Sequence, residues 1–118
     1  MKILNIPFQA IDWSSVEKTE HPGETGTATW RTIQFNGLRL RLVEYSPGYI
    51  ADHWCQKGHV VYCIEGEFVS ELGTGEKFLL TKGMSYVVSD DLSTHRSISS
   101  GGVKLLIIDG DFLATTTP

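Results

Sequence analysis

Between Ala51 and Tyr62 the chain reads ADHWCQKGHVVY, which places His53, Cys55 and His59 within seven residues of a chain that holds four His and two Cys. Imidazole and thiolate are good ligands for Zn²⁺ and other late first-row metals. Offsets of two and four direct side chains to one face of an extended strand. In a helix Cys55 would instead sit about 200° from His53. The spacing therefore predicts a strand over 50–55 carrying ligands. Lys57-Gly58 can form a turn or bulge, in which case His59 opens the next strand and a tight antiparallel return brings it to the same side. His95, in the β-like segment STHRSI, is the natural fourth donor, whereas His21 sits in a polar loop and is a poor one.

Each residue also has a plainer role. A single strand His is usually hydrogen-bonded or half-exposed, and a single Cys is usually a small buried hydrophobe, the reading given to Cys63. Asp52 should point away from His53, as a solvated or capping carboxylate. Arg96 should face away from His95, and Glu65 and Glu67 should be solvated. Tyr49, Tyr62, Tyr86 and Trp54 lie near the cluster, with core or rim packing as their ordinary use. Arg39 and Arg41 share a strand face. That face either holds an anionic ligand or is simply solvated, the commoner case for such a charge pattern.

The elements that must position these residues are short strands. TATWRTIQF (27–35), the hairpin signal Asn36-Gly37, and the alternating LRLRLVEY (38–45) come first. Further strands are expected at 50–55, 59–64, 67–72, 77–80, 84–88, 94–99 and 103–108, separated by Gly-bearing turns. This is the pattern of an all-β sandwich or barrel. Residues 1–26 are the least regular, with a short helical turn expected within Ile11–Lys18, capped by Asp12 or Ser14, and a polar loop over 20–26.

The 118 residues fit a single domain, 1–118. A net charge of −4 and the lack of a basic stripe argue against a nucleic-acid or membrane partner. No secretory leader or spanning segment is legible, so a cytoplasmic location is expected, with both Cys as free thiols. No nucleophile elbow, phosphate loop or carboxylate pair is visible.

The chain resembles the cupins. Their first motif runs Gly, five residues, His-x-His, three or four residues, Glu, six residues, Gly. Here Gly48 is followed by four residues, His53-Trp54-Cys55, three residues, His59, six residues and Gly66. The second motif runs Gly, five residues, Pro-x-Gly, two residues, His, and Gly83, Ser89-Asp90-Asp91 and His95 follow it loosely. The resemblance spans about 38–109, and ADHWCQKGH with EHPGETGTATWRT is similar to the small bacterial group known as DHCW-motif cupin-fold proteins.

The resemblance implies a single cupin-type β-barrel (double-stranded β-helix, or jelly roll) with an irregular N-terminal arm over 1–26. It also implies a homodimer and a metal in the barrel mouth. Position by position, its ligands are His53, Cys55, His59 and His95, three His and one Cys. That donor set makes zinc the first choice of divalent transition metal, with iron, nickel, copper and manganese as further candidates. Four tetrahedral ligands would make the site structural, and a free position would admit an activated water. The leading reading is a metal-binding cupin with a small-molecule pocket and no assigned reaction. The alternatives are a metal-dependent oxygenase or isomerase, and a non-catalytic structural or ligand-sensing homodimer.

Overall fold

The computed structural model describes residues 5–115. Nine strands run β1 (Lys18–Pro22), β2 (Thr27–Phe35), β3 (Leu38–Tyr45), β4 (Tyr49–Ile50), β5 (His59–Leu72), β6 (Lys77–Thr81), β7 (Ser85–Val88), β8 (His95–Ser99) and β9 (Val103–Gly110). All pairings are antiparallel, in the order β1-β2-β3-β9-β5-β8-β4, with β6 and β7 also on β5. The sheet curls on itself as a jelly roll, the all-β class expected.

Strand β5 makes the curl. Its first half pairs with β7 and β9, and its second half with β6 and β8. The register with β9 shifts between Cys63 and Glu65, a bulge that bends the strand from one layer into the other. Gly66 follows with φ 81°, and a Cβ there would lie 2.5 Å from the Gly102 carbonyl oxygen. Only glycine fits that crossing.

Alternation sorts the faces. Along β9, Val103, Leu105, Ile107 and Asp109 are buried while the residues between them are half-buried. Their register partners on β3 are Tyr45, Val43, Arg41 and Arg39. Residues opposite one another share a face, so both arginines point into the barrel. Arg41 is 5% exposed, which overturns the solvated-face reading of the pair. The apolar core of Val43, Val61, Cys63, Phe68, Leu80, Val103, Leu105 and Ile107 fills the rest of the interior.

Three local expectations change. The strand expected at 50–55 ends at Ile50, and 51–58 is a loop whose backbone meets β8 through the Ala51–Ser97 hydrogen bond and the Cys55–His95 bridge. The two strands expected at 59–64 and 67–72 are one, running through Gly66. His21 lies in β1, stacked on Trp30 at 3.7 Å, rather than in a loop. The expected turn near the N-terminus is a 3-10 turn over Trp13–Ser15 capped by Asp12. Arg31 Nη1 ties it down by donating to the Trp13 and Val16 carbonyls.

Candidate metal centre

Three donors meet at the barrel mouth. One ligand atom each from Cys55, His59 and His95 lies within 4.8 Å of the others, the only such group of three among the described residues. His59 opens β5 and His95 opens β8, both facing inward and both under 10% exposed. Cys55 comes from the 51–58 loop and is pinned by the backbone. Its N–H donates to the His95 carbonyl at 2.7 Å, and the His95 N–H donates back at 3.0 Å. The loop is anchored again at Gly58, whose N–H donates to Asp90 Oδ1 at 2.6 Å. A Cβ on Gly58 would lie 2.5–2.7 Å from backbone atoms of Val88, Ser89 and Asp90, so the residue before His59 must be glycine for the loop to lie this deep.

Hydrogen bonds fix the tautomers. His95 Nδ1 lies 2.8 Å from the Ser93 carbonyl, which can only accept, so Nδ1 carries the proton and Nε2 presents a lone pair. That Nε2 is buried with no partner. His59 Nδ1 lies 3.1 Å from Asp109 Oδ2, and its Nε2 lies 3.5 Å from Cys55 Sγ. With bonds of about 2.0–2.3 Å, a tetrahedral metal separates its N and S ligands by about 3.5 Å. An orienting acceptor behind each ring is the usual support of a metal-bound histidine. The cluster thus has the donor set and the support for a divalent metal, with one of its ligand pairs at the separation such a metal sets.

Asp109 anchors the charge pattern. Arg39 Nε and Nη2 donate to its two oxygens at 2.9 Å each, and Arg41 Nη2 donates to Oδ2 at 3.1 Å. Burial alone would raise the Asp109 carboxyl. His59, Arg39 and Arg41 outweigh it and hold the group well below the usual carboxylate range. Burial alone would lower the His59 imidazole, but Asp109 and Cys55 outweigh it and raise it. Burial also opposes the Cys55 thiolate, yet the hydrogen bond with His59 and the adjacent His95 pull that thiol down to about 5. Burial depresses the Arg41 guanidinium first, with Arg39 adding to it.

A cavity of about 200 Å³ opens over the cluster, walled by Trp30, Tyr45, Tyr49 and Tyr86 and reached by Arg39, Arg41 and Arg96. Burial pushes all three tyrosine hydroxyls up, so they stay neutral. Arg96, expected to face away, lines this cavity and lies over the Trp54 ring at 4.7 Å. Its Nε donates to Glu71 at 2.8 Å.

Of the four residues singled out in the sequence, the structure brings together Cys55, His59 and His95. His53 lies outside the cluster. It lines the outer part of the same cavity with a 75% exposed side chain, its Nδ1 2.6 Å from Asp52 Oδ1. Even offsets share a face only in a strand, and the loop geometry here turns His53 outward. Asp109 escaped sequence reading. Its signal was the two-residue alternation Val103, Leu105, Ile107, Asp109, which puts a carboxylate where the pattern calls for a core residue. The second-motif glycine position is Asp91, and its φ of 62° is the left-handed conformation a glycine would serve.

No family model matches the chain, and no curated protein matches it in sequence. Solved structures do. Ectoine synthase from P. lautus is 19% identical, with a TM-score of 0.70 over 92% of this chain and 80% of its own. An RmlC-like cupin from Shewanella frigidimarina is 21% identical, with a TM-score of 0.70 over 88% and 91%. A predicted oxalate decarboxylase from Thermotoga maritima is 14% identical, with a TM-score of 0.73 over 86% and 99%. The fold is that of the cupins.

Proposed function

We propose that this cupin barrel binds a divalent transition metal, zinc first, through Cys55, His59 and His95, with a fourth position facing the cavity and open to water or a small molecule. The observation that carries this is the bare, buried Nε2 of His95, since a polar atom shut away from both water and protein needs a partner. The mixed thiolate–imidazole set disfavours magnesium and manganese. Three protein ligands are the pattern of sites that keep an exchangeable position. When bound, the metal supplies Lewis acidity. The chain's own residues orient the ligands, His59 through Asp109 and His95 through the Ser93 carbonyl. His53, at the mouth, is proposed as a group that meets the incoming molecule rather than the metal.

The test is metal content by mass spectrometry on untagged protein, with Cys55→Ser and His95→Ala alongside. Near one metal per chain in the parent and little in either variant is expected. A parent that takes up no metal after reconstitution would overturn the reading.

A second reading has its own support. Cys55, His59 and Asp109 stand in the order thiol, imidazole, carboxylate, at 3.5 and 3.1 Å, the arrangement of an activated nucleophile. The two readings exclude one another, because a metal consumes the thiolate. Stoichiometric metal in protein from cells decides for the first, and metal-free protein with a rapidly alkylated Cys55 decides for the second.

We further propose that the chain forms a homodimer through the outer face of the sheet. The register aligns Ile33, Leu40, Ile108, Val60 and Val87 in one row across five strands on the side opposite the barrel interior. Leu42, Leu106 and Tyr62 form the row beside it, and Val87 and Tyr62 are 70% and 45% exposed. An apolar face of that breadth marks an association surface.

A further inference from the structure

We propose that the cavity over the cluster takes a small organic carboxylate, seated against the Arg41 guanidinium with its other end toward Cys55, His59 and His95. This deepens the metal reading and rests on it for the ligand's second anchor.

Arg41 is 5% exposed, and a buried guanidinium needs acceptors. Among the described residues its one hydrogen-bond acceptor is Asp109, at 3.1 Å, and Asp109 already takes both bonds of the Arg39 fork and the His59 N–H. Arg41 Nε has no partner at all among the described residues. The other cations at the cavity are matched, Lys57 by Asp90 at 3.4 Å and Arg96 by Glu71 at 2.8 Å. Two arginines share one aspartate, and Arg41 is the buried cation there whose donors are left unmatched.

The surroundings shape what can neutralise it. The Trp30 ring supports the guanidinium from one side, its centroid 4.4 Å from the Arg41 Cζ. A carboxylate matches that planar edge with two parallel acceptors. A phosphate is a poorer fit, because no helix N-terminus lines this cavity among the described residues. The cavity of about 200 Å³ suits a small acid. The stacked Tyr45 and Tyr49 rings, 4.2 Å apart, give its carbon skeleton an apolar wall.

The test is calorimetric titration of the zinc-reconstituted full chain with malonate, succinate and benzoate, against malonamide and inorganic phosphate. At least one acid should bind saturably and malonamide should not. Arg41→Met, which keeps an apolar stem over Trp30, should weaken that binding about 10- to 100-fold, the worth of a charge-assisted pair. Arg41→Lys, which restores charge without the fork, should recover part of it and serves if the Met variant does not fold. The proposal is overturned if no acid binds, if malonamide or phosphate binds as tightly, or if the Arg41 variants bind unchanged. Metal content in the same samples separates the two readings. Chain that binds acid but no metal overturns the metal site and keeps the carboxylate site. Metal-loaded chain that binds no acid does the reverse.

Discussion

His59 Nδ1 and Asp109 Oδ2 lie 3.1 Å apart, at the point where β5 and β9 run side by side and one step beyond the Val60–Ile108 pair. That contact joins the donor cluster to the two arginines through a single carboxylate. Asp109→Asn keeps the shape but removes the charge that orients His59 and offsets Arg39 and Arg41. Metal affinity should fall about 10- to 100-fold, as for other groups that orient a metal-bound ring. Stability should fall by about 3 kcal/mol, since the variant leaves buried cations unpaired. Chelator competition and a thermal melt measure both, and an unchanged affinity would mean Asp109 has no part in the site.

His53→Ala should retain metal at the parent level, because that side chain is 75% exposed and engaged with Asp52. His95→Ala should lose it. Metal content of the two variants, side by side, makes the comparison. Loss in both would mean that the 51–58 loop closes over the metal and delivers His53 as a fourth ligand.

The two cysteines should respond to pH in opposite ways in metal-free protein. The Cys55 thiol is drawn down to about 5, against about 8.5 for a free thiol, so it is thiolate above that pH and protonated below it. Its alkylation by iodoacetamide should be fast and level from pH 7 upward and fall as the pH drops through 5. Cys63 is fully buried and burial pushes its thiol up, so it should stay unlabelled in the fold. Peptide mapping over a pH series gives both curves. A Cys55 midpoint near 8.5 would remove the activated nucleophile and leave the metal reading standing, because a metal deprotonates its thiol ligand on binding.

Much of this was legible in the sequence, and the failures share a cause. The alternation in LRLRLVEY announced a strand with two faces, but apolar character pointed to the wrong one as the core. In a filled barrel the leucines would face inward. Here the mouth is a polar cavity, so Arg39 and Arg41 take the inner positions and Leu38, Leu40 and Leu42 the outer. Even spacing likewise suggested a ligand strand through His53 and Cys55. A loop that bridges to His95 at Cys55 satisfies the same spacing for Cys55 and releases His53. Local pattern identified the cluster, while long-range register decided its members.

The outer rows make the dimer testable. Leu106 sits between Leu42 and Tyr62, near the middle of the apolar face, with the Lys104–Glu44 pair at its edge. Leu106→Glu places a charge where a partner would have to bury it, while its half-buried position costs the lone chain far less. Light scattering should give the parent twice the 13.1 kDa chain mass and the variant the single mass, with metal content retained. Retention is expected because the site faces the opposite side of the sheet and draws all its donors from one chain. A parent that runs at the single mass would leave these rows without the partner assigned to them. A variant that dissociates and also loses its metal would show instead that the partner braces β9, and with it Asp109, so that the centre depends on assembly.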